Sequence, residues 1–233
     1  MKKRMPNVSP LFFWLASFFV TCLLISNIIA GKLIQVKGLV LPAAVILFPV
    51  AYILGDVLTE VYGFKRSRLV IWVGFAASAF MSLIFLLTVA LPHPEFWGNQ
   101  EAYTVVLGFT PRLVLASLIA YLIGEFSNAA LLSKIKIITG GRWLWTRTIG
   151  STLVGQGIDT LLFISIAFWG MLSPSMLVGM MVAQYLWKVG YEIAATPLTY
   201  LLVKWVKNQE GLDTFDYHLR YNPFSLEVED ESV

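Results

Sequence analysis

Two carboxylates, Asp56 and Glu60, lie in the run FPVAYILGDVLTEVYG, which is otherwise apolar enough to cross a bilayer, and Lys65, Arg66 and Arg68 follow at once. Their spacing of four places both acids on one helical face, with Tyr52 one turn earlier, so that face looks at protein, water or a ligand rather than at lipid. An Asp at a helix centre costs roughly 2.5–3.5 kcal/mol on insertion scales, and an ionisable group kept at that depth points to a functional site. A helix ending at Gly55 would instead leave both acids in headgroup water. Comparable groups recur along the chain: Glu125 and Asn128; Gln156 and Asp159, three apart and so on one face; and Gln184, Lys188 and Glu192, at every fourth position of an otherwise apolar run.

Carboxylates accept paired N–H donors, amides both donate and accept, and Lys donates to a carbonyl, so this set suits a small neutral heterocycle with a mixed hydrogen-bonding edge. Phe48, Tyr52, Phe163 and Trp187 could flank its faces. Taken singly, each polar group could be interhelical glue. Taken together they gain little as stabilisers, because each buried charge must be paired merely to offset its desolvation. The chemistry is recognition rather than turnover. The two histidines, His93 and His218, fall in a loop and the tail, with no Cys/His/acid cluster at metal-ligand spacing. GQGID at 155–159 has Ile158 where an intramembrane aspartyl-protease signature requires Gly, and no P-loop or dinucleotide fingerprint precedes a helix. No catalytic residue, metal or cofactor is expected.

The elements that position these groups follow from composition. The 233 residues are 58% hydrophobic and 13% charged, about half the charge usual in soluble domains, which defines a polytopic membrane protein. The net charge of +3 resides in short loops without interleaved aromatics, so no nucleic-acid partner is expected. The single Cys22 excludes a disulfide within the chain. Met5 to Gly31 is uncharged and too long for a signal-peptide core, so it reads as a first span. Further spans are expected over about Val40–Val61, Leu69–Leu91, Pro111–Leu132, Thr146–Gly170 and Met176–Val203. The fold class is therefore all-α: one six-helix transmembrane bundle over 1–206, then a cytoplasmic tail over 207–233 whose acidic end, EVEDESV, is expected to be disordered. With spans centred near residues 51, 122, 158 and 190, Asp159 and Lys188 fall at the midplane, and Asp56, Glu125 and Glu192 lie within about 8 Å of it.

Several of these stretches carry a resemblance to a known family: SNIIAGK at 26–32, FPVAYILGDVLTEVYG at 48–63, PRLVLASLIAY at 111–121, RTIGSTLVGQGIDTLLF at 147–163, QYLWKV at 184–189 and the tail pattern LDTFDYH…YNPF. The chain resembles the queuosine-precursor transporters, also called the vitamin uptake transporter family and related to the substrate-binding components of energy-coupling-factor transporters. The resemblance implies a six-helix importer, not an enzyme, whose cargo is 7-cyano-7-deazaguanine or its aminomethyl relative, salvaged for transfer-RNA modification. Many relatives have Gln and Asp where this chain has Glu125 and Asn128. The candidate substrate-binding set is Asn27, Lys32, Tyr52, Asp56, Glu60, Arg112, Glu125, Asn128, Gln156, Asp159, Gln184, Lys188 and Glu192. Another nucleobase or vitamin as cargo, an intramembrane enzyme, or a non-transporting assembly subunit are the alternatives. A homodimer or an energising partner, and the energy source, stay open.

Orientation follows from the basic residues. With six spans, thirteen of the seventeen lysines and arginines fall on the side of both termini, and Lys32 and Lys37 on the other. The positive-inside rule makes the crowded side cytoplasmic, in the inner membrane. A cysteine at Asn208 should therefore be shielded from an impermeant thiol reagent in intact cells and one at Gly98 labelled; labelling at Asn208 alone would reverse the topology.

Overall fold

The computed structural model describes residues 9–224 except 31, 37–38, 109–110, 172, 218 and 220. The basic N-terminus and the acidic end expected to be disordered lie outside the described residues. The rest is helical: α1 (Pro10–Ile29), α2 (Phe48–Ala90), α3 (Gln100–Leu107), α4 (Pro111–Ile138), α5 (Leu144–Phe168) and α6 (Pro174–Glu210), with one short hairpin between α1 and α2. Ser-Pro pairs open both outer helices. Ser9 accepts from the Phe12 N–H at 3.0 Å and Ser173 from the Met176 N–H at 3.4 Å, while Pro10 and Pro174 occupy first-turn positions that need no N–H.

The molecule is a helical membrane bundle. Among the described residues four helices, α1, α2, α4 and α5, are long and apolar enough to cross a bilayer. Their outward faces carry Phe13, Trp14, Phe18, Val73, Phe80, Leu83 and Leu87, all exposed, while Asp56, Glu60, Arg147, Lys188 and Glu192 are buried. Apolar outside and charged inside is the reverse of a soluble domain, and so continuous an apolar surface needs lipid around it.

Three expectations about elements change. The segment from Val40 does not begin a helix: β1 (Leu33–Val36) and β2 (Leu39–Pro42) form an antiparallel hairpin, followed by a 3-10 turn over Ala43–Ile46. Pro42 lacks the N–H that a helix interior needs, and Pro49 fits the first turn of a helix starting at Phe48. Second, the expected Lys65–Arg68 loop is helical, with Ser67 and Arg68 buried. At 43 residues α2 would run about 65 Å, twice a hydrocarbon core of about 30 Å. It is interrupted at a single residue, Gly63, with φ 82° and ψ 168°. Third, the stretch between the expected Leu69–Leu91 and Pro111–Leu132 spans contains a helix of its own, the exposed α3.

The tail joins the bundle instead of leaving it. Its expected boundary at 206/207 falls inside α6, and after Gly211 (φ 61°) the chain runs back over the break in α2. The Thr214 N–H donates to the Val61 carbonyl at 3.2 Å, and the Asp216 carboxylate accepts the Phe64 N–H at 2.9 Å, capping the second half of α2 from 152 residues away. Gly63 is required twice over. Its φ suits glycine, and a Cβ there would stand 2.8 Å from Thr214 Cγ2 and 2.9 Å from Asp216 Oδ1.

Candidate functional site

The polar residues gather in two places. The first is a layer between α2, α4, α5 and α6. Tyr52 donates its hydroxyl to Gln156 Oε1 at 2.9 Å, and Asn128 donates Nδ2–H to Asp56 Oδ1 at 3.2 Å. Lys188 donates to Asp159 Oδ2 at 2.5 Å and lies 5.5 Å above the ring of Phe48, which stacks on Tyr52. Glycines allow this closeness. A Cβ at Gly124 would stand 2.8 Å from Asp159 Cβ, and one at Gly155 would stand 2.7 Å from Asn128 Cβ, so α4 and α5 touch backbone to backbone, with Asp159 opposite Gly124 and Asn128 opposite Gly155, one turn apart.

What distinguishes this layer is unused hydrogen-bonding capacity. Among the described residues, Asp56 Oδ2, Asn128 Oδ1, both carboxyl oxygens of Glu192, Thr160 Oγ1 and Trp187 Nε1 are buried without a protein partner. Such groups are rare in folded proteins, and each one calls for an explanation. Those of Asp56, Asn128 and Glu192 lie where α2, α4 and α6 meet. A cavity lined by Gly55, Thr59, Glu125 and Asn128 adjoins it between α1, α2 and α4.

The second assembly neutralises Glu60 completely. Arg147 grips its carboxylate with two parallel bonds, Nε to Oε2 at 2.6 Å and Nη2 to Oε1 at 2.8 Å, and Lys207 adds a third at 2.6 Å. Lys136 donates to the Glu60 carbonyl at 2.5 Å, to the Thr214 carbonyl at 2.7 Å and to Asp213 Oδ1 at 2.5 Å, and Lys207 reaches Asp213 at 2.9 Å. Burial pushes the Asp213 carboxyl up, but the bonds from Lys136 and Lys207 outweigh it and hold that group below its ordinary range.

The structure thus brings together Tyr52, Asp56, Glu125, Asn128, Gln156, Asp159, Lys188 and Glu192, with Gln184 half-buried one turn from Lys188. It places the remaining candidates elsewhere. Glu60 belongs to the ion cluster; Asn27 bonds Ser78 at 3.3 Å; Lys32 is exposed beside the hairpin; and Arg112 donates to the carbonyls of Ile166 and Trp169, at 2.5 and 2.7 Å, closing the end of α5. Phe163, expected to flank a ligand, packs against Phe168. Lys136, Arg147, Lys207 and Asp213 were not among the candidates. Their signal was indirect: a carboxylate as deep as Glu60 needs a cation, and basic residues at neighbouring helix ends are the ones that reach.

An apolar-sided helical bundle enclosing a layer of unspent hydrogen-bonding groups has the architecture of a small-molecule carrier. Residues 42–202 match the family described as "Putative vitamin uptake transporter", and the chain belongs to that family. It is a transporter and not an enzyme. It is 30% identical over 203 residues to the "Probable queuosine precursor transporter" of Bacillus subtilis (strain 168), covering 86% of each chain. It is 27% identical over 157 residues to the "Queuosine precursor transporter" of Escherichia coli (strain K12), covering 67% of this chain and 68% of that one. No solved structure matches it.

Removing one member of a fully buried ion pair leaves an uncompensated charge and costs about 3–5 kcal/mol. Arg147→Met should therefore lower the melting temperature of the detergent-solubilised protein sharply, whereas Asp159→Asn, at a pair whose acid is 23% exposed, should leave it folded. Arg147→Met that melts like wild type would remove Glu60's cluster from any structural role.

Proposed function

We propose that this transporter imports a queuosine precursor, 7-cyano-7-deazaguanine or its 7-aminomethyl relative, across the inner membrane for salvage into transfer-RNA modification, with six crossings and both termini in the cytoplasm. The relatives' names support the cargo class. The observation that carries the reading is the set of unpartnered groups. A deazaguanine edge offers adjacent ring and amino N–H donors beside a carbonyl, and the layer offers free carboxyl oxygens on Asp56 and Glu192 and a free amide oxygen on Asn128, with the Lys188 ammonium, held by Asp159, beside them. Phe48 and Tyr52, already stacked, supply an apolar wall for the face of the base. The six crossings are α1, the two segments of α2 on either side of Gly63, α4, α5 and α6. The thirteen-to-two distribution of basic residues supports their direction.

Binding to the folded state raises stability by mass action, about 2.7 kcal/mol at a ligand concentration one hundred times Kd. Purified protein should therefore melt several degrees higher with saturating 7-cyano-7-deazaguanine and not with adenine, whose edge reverses the donor pattern. Asp56→Asn should lose that gain. An equal shift with adenine, or none with the deazaguanine, would contradict the proposed cargo.

A further inference from the structure

The layer is out of charge balance. Among the described residues four carboxyls meet there, Asp56 from α2, Glu125 from α4, Asp159 from α5 and Glu192 from α6, and the single ammonium among them, Lys188, is committed to Asp159 at 2.5 Å. Asp56 and Glu192 are each 1% exposed, and three of their four carboxyl oxygens have no hydrogen-bond partner. The groups around the pair do not correct this. From α2 come Tyr52 and Glu60, from α4 Tyr121, Glu125 and Asn128, from α5 Gln156 and Asp159, and from α6 Lys188. At the neighbouring end Lys136, Arg147 and Lys207 are occupied by Glu60 and Asp213. Asp56 keeps one bond, from Asn128, and Glu192 has none; burying an unpaired charge costs far more than burying a neutral acid, so a proton on one of the two relieves the layer.

We propose that Asp56 and Glu192 form a proton-binding site that holds one proton between them and is filled together with the cargo, so that uptake is driven by the proton gradient. The proposal rests on the base-importer reading above and adds its energy source. One shared proton gives the pair the pattern a guanine-like edge requires: the protonated carboxyl donates its O–H to the base carbonyl, and the ionised one accepts the adjacent ring and amino N–H groups. With Lys188 held by Asp159, the doubly ionised pair offers the carbonyl no donor, and the doubly protonated pair is a poor acceptor for two N–H groups. On release the base departs with all its own hydrogens. The carboxyl O–H then ionises and its proton passes to water on the receiving side, with no bond of the base made or broken. Lys188 lies one turn from Glu192 on α6, and Asp159, at 23% exposure, can be left to water. The ammonium can therefore shift from Asp159 to Glu192 once the proton has gone, so that the emptied layer is not left with two uncompensated buried charges.

The test uses full-length protein in liposomes with labelled 7-cyano-7-deazaguanine. Counterflow against unlabelled base inside measures carriage of the cargo without any gradient. An acidic-outside gradient measures coupling. With one proton per base, a one-unit gradient should drive accumulation up to about tenfold, abolished by an uncoupler, and a pulse of base should alkalinise the medium. A sodium gradient should drive nothing. In Glu192→Gln, gradient-driven accumulation should collapse to the level of that variant's own counterflow. Counterflow with no response to the pH gradient, a response to sodium instead, or a Glu192→Gln protein that still accumulates base down the gradient would each overturn the proton site. Absence of counterflow in the wild type would overturn the importer reading itself. The proton flux of the wild type decides the matter if the variant does not fold.

Discussion

A helix interrupted inside a membrane protein frees backbone amides and carbonyls that lipid cannot satisfy, and in this molecule everything near the Glu60 end is arranged around one such interruption at Gly63. The tail supplies the missing partners: Thr214 bonds the carbonyl of Val61 before the break, and Asp216 caps the amide of Phe64 after it. Ser133 of α4 donates to the same Asp216 oxygen at 2.5 Å, and Tyr221 lies 3.0 Å from the Ser133 hydroxyl, so the cap is itself held. Farther along, the Pro223 carbonyl accepts from Trp72 and the Asn222 carbonyl from Arg68. The Glu60 cluster lies one turn before the break and fastens α2, α4, α5, α6 and the tail through a single buried carboxylate.

The two polar assemblies show opposite electrostatics a turn or two apart on the same helix. Glu60 has more cation than it needs, which fixes its surroundings in one arrangement. Asp56, four residues earlier, has one amide and no cation among the described residues. A protein gains nothing in stability from such an acid. Its retention is understandable where the missing partner arrives from outside. The close contact of α4 with α5 through Gly124 and Gly155 fixes where Asn128 and Asp159, one turn apart, face α2 and α6, so the rigid part of the bundle positions the unsatisfied part.

How much of this the sequence disclosed depends on the kind of signal each residue carries. Asp56, Asp159, Lys188 and Glu192 stand out because a charge in an apolar run has few explanations, and their helical spacing gives the face they share. The partners of Glu60 were hidden for the converse reason. Lys136, Arg147 and Lys207 lie at helix ends, where a basic residue already has a sufficient explanation in membrane topology. The end of the hairpin, from Val40, was read as the start of a helix because Leu and Val at the start of an apolar run suit either state, and only Pro42 argued otherwise. The docking of LDTFDYH could not be read from periodicity, since an irregular strap has none; its contacts are made by backbone groups and by two aspartates 152 and 77 residues from their partners.

The central claim is that the layer between α2, α4, α5 and α6 carries a deazaguanine base into the cell. Uptake of labelled 7-cyano-7-deazaguanine into cells blocked in its synthesis tests it most directly. Cells producing this chain should accumulate the label and pass it into transfer RNA, and cells producing the Asp56→Asn protein at equal membrane abundance should not. Label in cells with the folded wild-type chain no higher than in cells without it would contradict the account.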